Sequence, residues 1–227
     1  LIAEDPKSAE IIRPILRGRD IKRYSYDFAN LYIITTFPSL KIDIEEYPAV
    51  KQHLLTFGYN RLKQTGDVGA RKKTNNQWFE TQDSISYWDD FFKQKIMYPN
   101  MTKFLPFYLD DKGFMQNDKS FMITGNYLYF LTAFLNSSLF KFCFIDNFPE
   151  LQGGTRELRK IFLDKIPVLQ VTEEQNEIFK PLVQKCQQLR LENYPSHELE
   201  KQIDNIIFDL YRLSEEERKI IGYIEIQ

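Results

Sequence analysis

Three short stretches concentrate the cations that this chain could set against an anionic partner. Residues 11–24 read IIRPILRGRDIKRY, with Arg13, Arg17, Arg19, Lys22 and Arg23 against the single acid Asp20, interleaved with Ile11, Ile12, Ile15, Leu16 and Ile21. Pro14 fixes one backbone angle, and Gly18 permits a turn that a side chain would hinder. Such a segment buries its aliphatics and offers guanidinium groups on a bend. Their planar donors suit phosphate oxygens and the O6/N7 edge of guanine. A solvated turn between two strands is the plainer reading of the same composition.

Residues 61–78, RLKQTGDVGARKKTNNQW, carry Arg61, Lys63, Arg71, Lys72 and Lys73 with one acid, Asp67, followed by Asn75, Asn76, Gln77 and Trp78. Lysine and arginine suit phosphates, whereas Asn and Gln side chains can pair with adenine N6/N7. Few residues here can drive burial, so a long loop, mobile when free, is expected. A disordered surface loop whose charges merely solvate it is the alternative. The third stretch, 151–163, reads LQGGTRELRKIFL. Gly153-Gly154 makes a turn, and Thr155, Arg156, Arg159 and Lys160 follow as a basic, hydrogen-bonding edge. Thr155 is placed to cap a short helix whose amides would face a phosphate.

Catalytic patterns are missing. The chain has no Walker A loop, no GxGxxG and no GxSxG elbow. It also lacks the glycine-rich methyl-donor turn and the [DN]PP[YF] loop of an aminomethylating enzyme; Tyr98-Pro99-Asn100 is not that motif. A metal nuclease would need acids with a D/E-x-K element, which Asp89, Asp90 and Asp110-Asp111-Lys112 match only loosely. A hairpin tip explains the latter run without catalysis. His53 and His197 are isolated from each other and from cysteine, so no zinc cluster is expected. No catalytic residue and no metal ligand is assigned.

The 227 residues suffice for a large domain with a real core. A hydrophobic fraction of 43% with 27% charge is ordinary for a soluble globular protein. The net charge of −2 argues by itself against a nucleic-acid partner. The distribution argues otherwise, because from Thr172 onward twelve acids face seven Lys/Arg, which leaves the body mildly basic. Cys143 and Cys186 lie in apolar helical patterns and read as buried free thiols of a reducing cytoplasm. No apolar run is long enough to span a bilayer, and no signal peptide is visible.

The elements that must hold the cationic bends read as α+β, a mixed β-sheet body followed by a C-terminal helical hairpin. Residues 31–36 predict a strand, 43–57 a helix closed by Gly58, and 85–87 and 95–98 short strands. Residues 104–109 and 114–116 flank a turn at 110–113 as a hairpin, and 121–124 form another strand. Asn126 is expected to cap one long buried helix over 127–144. Residues 166–169 predict an edge strand, restricted by Pro167. Thr172 with Gln175 and Ser214 with Glu217 form capping boxes, and Leu199, Ile203, Ile206, Leu210 and Leu213 run as a heptad seam. Pro181 must kink its helix or cost it a hydrogen bond. The expected division is residues 1–171 as the recognition body and 172–227 as a helical spacer or buttress.

Taken in order, IIRPILRGRDIKRY, LYIITT, YPAVKQHLL, a basic loop ending at Trp78, KIMYPNM, FLTAFLNSSLFKF and LQGGTRELRKIFLDKIPV form a series. The series, from about Ile11 to Val168, resembles the TaqI-like C-terminal specificity domain. That domain is the target-recognition part of type IIG restriction–modification enzymes and related adenine-specific DNA methyltransferases. The recognition domains of type I specificity subunits are a weaker likeness. The resemblance implies a partner, double-stranded DNA, read from the major groove. It also implies a methyltransferase domain N-terminal in the same polypeptide, which flips an adenine and uses S-adenosylmethionine. This fragment would carry no cofactor of its own, and the setting would be a bacterial or archaeal cytoplasm. Whether the parent also cleaves DNA stays open.

Three positions carry over: the turn Arg17-Gly18-Arg19-Asp20, the loop ending at Trp78, and the turn at 153–156. In the first, Asp20 is expected to pair with Arg17 or Arg23; in the second, residues 61–77 are the better candidates for base reading. The expected DNA-binding set is Arg17, Arg19, Lys22, Arg23, Arg61, Lys63, Arg71, Lys72, Lys73, Asn75, Asn76, Gln77, Trp78, Thr155, Arg156, Arg159 and Lys160. The slightly negative chain should bind weakly alone, at ~10⁻⁴–10⁻⁶ M. Two rivals remain: a protein-interaction module built on the heptad helices, and a magnesium-dependent nuclease relying on Asp111.

Overall fold

The computed structural model describes residues 1–224 except Phe104, and at Phe144 the backbone only. The chain forms two compact units, one of residues 1–15 and 30–89, the other of 16–29 and 90–227. The expected boundary after residue 171 falls inside the second unit, where Val171 and Phe179 share one core with Phe107 and Phe134.

In the first unit, Ile12–Leu16 pairs antiparallel with Tyr32–Ile34 in the register Ile12↔Ile34 and Pro14↔Tyr32. The strand expected over 31–36 is therefore present but shorter. The Thr35 N–H and hydroxyl both donate to the Ile11 carbonyl and prolong the pairing. The helix expected over 43–57 is shorter as well. A 3-10 turn at Ile44–Glu46, capped by the Asp43 carboxylate on the Glu45 N–H, precedes a helix at Pro48–Leu55. Pro48 opens that helix because the first turn needs no N–H from it. Gly58 follows it with φ +90°, a region its missing Cβ allows. Ile11, Ile44, Tyr47 and Val50 form the buried core. Residues 85–87 form no strand; the Ile85 carbonyl instead accepts from the Ser39 hydroxyl.

The second unit centres on the strand Lys95–Pro99, flanked antiparallel by Tyr108–Asp110 and Ser120–Ile123. The expected hairpin across 110–113 is not observed, because Tyr108–Asp110 pairs with Lys95–Pro99 and not with Met115–Gln116. The turn itself forms, and the Asp110 carboxylate holds it by accepting the N–H groups of Lys112 and Phe114. The start of the predicted strand at Phe104 lies outside the described residues. Asp110 also receives the Lys95 ammonium, and both side chains are 0% exposed. Lys95 donates in addition to the Phe91 carbonyl.

The single helix expected over 127–144 is two helices, Leu128–Leu135 and Ser138–Phe144. Asn136 breaks it by donating to the Phe107 carbonyl and accepting the Phe107 N–H. Ser137 then caps the second helix through the Phe140 N–H. Asn126 is not the first helix's cap: Tyr127 takes that position with φ +57°. The Phe130 N–H in its first turn is satisfied from far along the chain, by Asn176.

That helix packs along Glu173–Leu191, which opens with the expected Thr172–Gln175 capping box and runs through Pro181. His197–Leu210 turns its seam inward: Ile203 is buried, and Leu199, Ile206, Leu210 and Leu213 pack against the same core. Glu215–Ile221 follows with the expected Ser214–Glu217 box, although Ile220 is exposed. Residues 166–169 form no strand, and the Leu169 N–H donates to the Tyr211 hydroxyl. Cys186 is buried as expected, whereas Cys143 is exposed, because its side of the Ser138–Phe144 helix faces solvent. The chain is thus α+β with helices gathered at its C-terminal end.

Candidate nucleic-acid interface

The opening basic turn is built around an internal ion pair. Arg17 donates through Nε and Nη2 to both Asp20 oxygens, each at 2.8 Å, and its backbone N–H adds a third bond at 2.8 Å. Of the two partners expected for Asp20, the geometry selects Arg17. Burial works against the Asp20 charge, but the Arg17 guanidinium and N–H outweigh it and hold the carboxyl below its usual range. Arg17 is therefore spent on the turn, while Arg19, between them in sequence, is exposed.

Gly18 lies against the loop before the Ser120–Ile123 strand. A Cβ built on it would stand 2.3 Å from the Lys119 carbonyl oxygen. Gly18→Ala is expected to cost about 1–3 kcal/mol, because a backbone atom must move to admit the methyl. A urea titration of wild type against variant measures it, and equal midpoints with equal slopes would refute the close approach.

The hairpin Ile21–Lys22 and Ser25–Tyr26 follows, with Tyr24 at φ +55° in its bend. Arg23 turns inward to Glu200 at 2.6 Å, and Arg190 reaches the other Glu200 oxygen at 2.9 Å. Glu200 also accepts from the Ser196 hydroxyl. Burial opposes its charge, yet Arg23, Ser196 and Arg190 together hold this carboxyl below its ordinary value.

A trough of ≈1170 Å³ opens beside this network, entirely within the second unit. Arg19, Lys22, Arg23, Lys103, Lys141 and Arg190 line it. Of the eight expected contacts in this unit, it gathers Arg19, Lys22 and Arg23, but not Arg17, Thr155, Arg156, Arg159 or Lys160.

The 153–156 turn forms, with Gly153 and Gly154 both at positive φ. Thr155 does not cap a helix; the short helix Lys160–Leu163 has Arg159 at its cap position. Arg156 is largely consumed by the Phe148 carbonyl and by Asp146 and Glu150. Arg159 pairs with Glu157 and Lys160 with Asp164. These last two pairs are exposed and of little energetic weight, so a phosphate could displace them at small cost.

In the first unit, the segment 61–78 is not the loose loop expected. Arg71 donates to the carbonyls of Leu62, Trp78 and Glu80, between 2.6 and 2.8 Å. Burial draws its guanidinium below the usual value, as fits a fork enclosed by carbonyls. Gln64 is buried and bridges the carbonyls of Gln77 and Glu80, and Asn76 donates to those of Thr81 and Gln82. Long-range polar bonds thus supply the order that missing apolar residues cannot. Arg71 and Asn76 serve as anchors. Lys63 pairs with Asp67 at 3.4 Å. Arg61, Lys72, Lys73, Asn75 and Gln77 face solvent, and Trp78 is half-buried against Tyr59 at 5.8 Å between ring centroids.

Among the described residues, no group of three His, Cys, Asp or Glu side chains is placed to hold a metal ion. Asp110, the start of the loose nuclease-like run, is committed to Lys95 and to its own turn. Lys103 and Lys141 are trough residues that the sequence reading missed. Each stands alone among apolar or neutral neighbours, so no local pattern could have singled them out.

Small sheets with a helical end, and cationic turns anchored by internal ion pairs, are the architecture of a binding module. Residues 13–168 match the TaqI-like C-terminal specificity domain, more than half of the chain, and the chain belongs to that family. It is a domain that gives restriction–modification enzymes their DNA sequence specificity, and a specificity domain is not a catalytic one. No curated protein matches the sequence. Among the described residues, no helix is long and apolar enough to cross a membrane.

Proposed function

We propose that this chain reads duplex DNA for a type II restriction–modification enzyme. Its methyltransferase domain would lie N-terminal in the same polypeptide and modify adenine N6 with S-adenosylmethionine. The setting is the cytoplasm of a bacterium or archaeon. The observation that carries the reading is the anchored segment 61–78. Arg71, Gln64 and Asn76 fix its backbone from within, while Lys72, Lys73, Asn75 and Gln77 are presented outward. Groups held in place before binding lose less entropy when they meet a base edge. The lysines supply phosphate contacts, and Asn75 and Gln77 supply the amide pair that suits adenine.

The helical seam offered the competing reading of a protein-docking face. Its apolar residues pack against the second unit's own core, Ile203 buried and the others partly buried, which favours the DNA-reading interpretation.

The test is duplex selection on the wild-type chain followed by anisotropy titrations. Lys72→Glu combined with Lys73→Glu is expected to lower affinity about tenfold or more and reduce the log–log salt slope by about 1.8. Asn75→Ala should instead change which sequences are enriched. Unchanged affinity, slope and enrichment in all variants would reject the assignment.

A further inference from the structure

The four outermost cations of the second-unit trough come from separate elements. Arg19 stands on the Gly18–Asp20 turn, Lys22 on the Ile21–Lys22 strand, Lys103 after Met101–Thr102, and Lys141 on the Ser138–Phe144 helix. All four are exposed. Among the described residues, no carboxylate forms an ion pair with Arg19, Lys103 or Lys141. Lys22 has a loose one, 3.6 Å from Asp27, which is the only acid among the described residues lining the trough. The inner pair, Arg23 and Arg190, shares the single Glu200 carboxylate, which offsets one of their two charges and ties both down as the fixed floor.

This contrast sorts the cations by task. Half-buried guanidiniums tied to Glu200 hold the hairpin and the helical end together. The outer cations leave positive charge standing over an open trough, which costs self-repulsion unless an anion covers it. A small anion would need donors converging on one point, and these are dispersed around a trough larger than ordinary small-ligand sites. An extended polyanion fits the arrangement. Three of the four outer cations, Arg19, Lys103 and Lys141, have no acid among the described residues holding them in place; the lysines meet phosphate as point charges, and the Arg19 guanidinium suits phosphate oxygens with its planar donors.

We infer that this trough holds the sugar–phosphate backbone of duplex DNA through Arg19, Lys22, Lys103 and Lys141, independently of sequence. The inference rests on the proposed function and adds a division of labour: the 61–78 segment selects sequence, and the second unit supplies general affinity. Exposed Tyr194 adds a hydroxyl on the trough wall that can contact a phosphate.

The test uses the full chain with Lys103→Glu and Lys141→Glu combined, titrated with the selected duplex and with a scrambled one across a salt series. A second variant, Lys103→Gln with Lys141→Gln, guards against misfolding, and thermal unfolding of each is followed in parallel. Affinity for both duplexes should fall together, about tenfold for the glutamate pair, with the salt slope reduced by about 1.8 and the preference between duplexes unchanged. If affinity and slope stay at wild-type values while Lys72→Glu/Lys73→Glu lowers them, the inference fails and the proposed function stands. A wild-type chain that binds neither duplex overturns both. Poly-glutamate bound more tightly than duplex, and lost in the variants, overturns the duplex in favour of an acidic protein surface.

Discussion

Asp110→Ala is expected to cost about 3–5 kcal/mol of unfolding free energy, the penalty for orphaning a buried charge. Lys95 sits on the central strand with no exposure, and among the described residues its ammonium is held by the Asp110 carboxylate and the Phe91 carbonyl. Removing Asp110 strands that charge and also frees the N–H groups of Lys112 and Phe114. Adding Lys95→Met should recover part of the loss, because it removes the charge while leaving the turn donors unsatisfied. Urea unfolding of the two single variants and the double variant closes the cycle. Strictly additive losses would show that the pair is not coupled. The experiment also separates a structural aspartate from a catalytic one: Asp111, adjacent and exposed, should be replaceable without comparable loss.

Glu200→Ala is the second large effect, at about 2–4 kcal/mol. It falls below the full penalty because the Arg23 and Arg190 side chains keep 15% and 23% of their exposure. The effect should depend on pH in a definite direction. Although burial opposes it, the Arg23 charge with the Ser196 and Arg190 bonds lowers the folded-state pKa of Glu200. Its stabilisation is therefore complete above the ordinary carboxylate range and is lost as pH falls through the depressed folded value. Neighbouring Asp204 runs the opposite way: burial, only partly offset by Ser138, raises its pKa, so acid favours its folded form. The difference between wild type and Glu200→Gln should shrink as pH drops below about 4. A difference constant from pH 7 to pH 3 would remove Glu200 from the account.

Position also matters for function, because Glu200 lies under the trough. Its loss would release Arg23 and Arg190 as well as loosen the hairpin that carries Lys22. A gain in general DNA affinity with a lower melting temperature would follow.

What the residue string determined was what three or four neighbouring residues settle among themselves. The capping boxes at Thr172 and Ser214 and the paired glycines at 153 and 154 all close locally, so composition and spacing suffice, whereas Asp20's choice between Arg17 and Arg23 was left to the fold. The family likeness was legible for a related reason, since several ordered blocks together are specific where each alone is weak. The tertiary structure decided everything that depends on a partner distant in sequence. It placed Asp110 against Lys95 instead of across a hairpin, and broke one expected helix by binding Asn136 to Phe107. It fastened a loop that lacks apolar residues with the side chains of Arg71, Gln64 and Asn76. Lys103 and Lys141, unremarkable where they stand in the chain, acquire their meaning only from the trough they share with Arg19. A lone charge carries no local hydrogen-bond pattern or periodicity, so its task is set by which surfaces folding brings beside it.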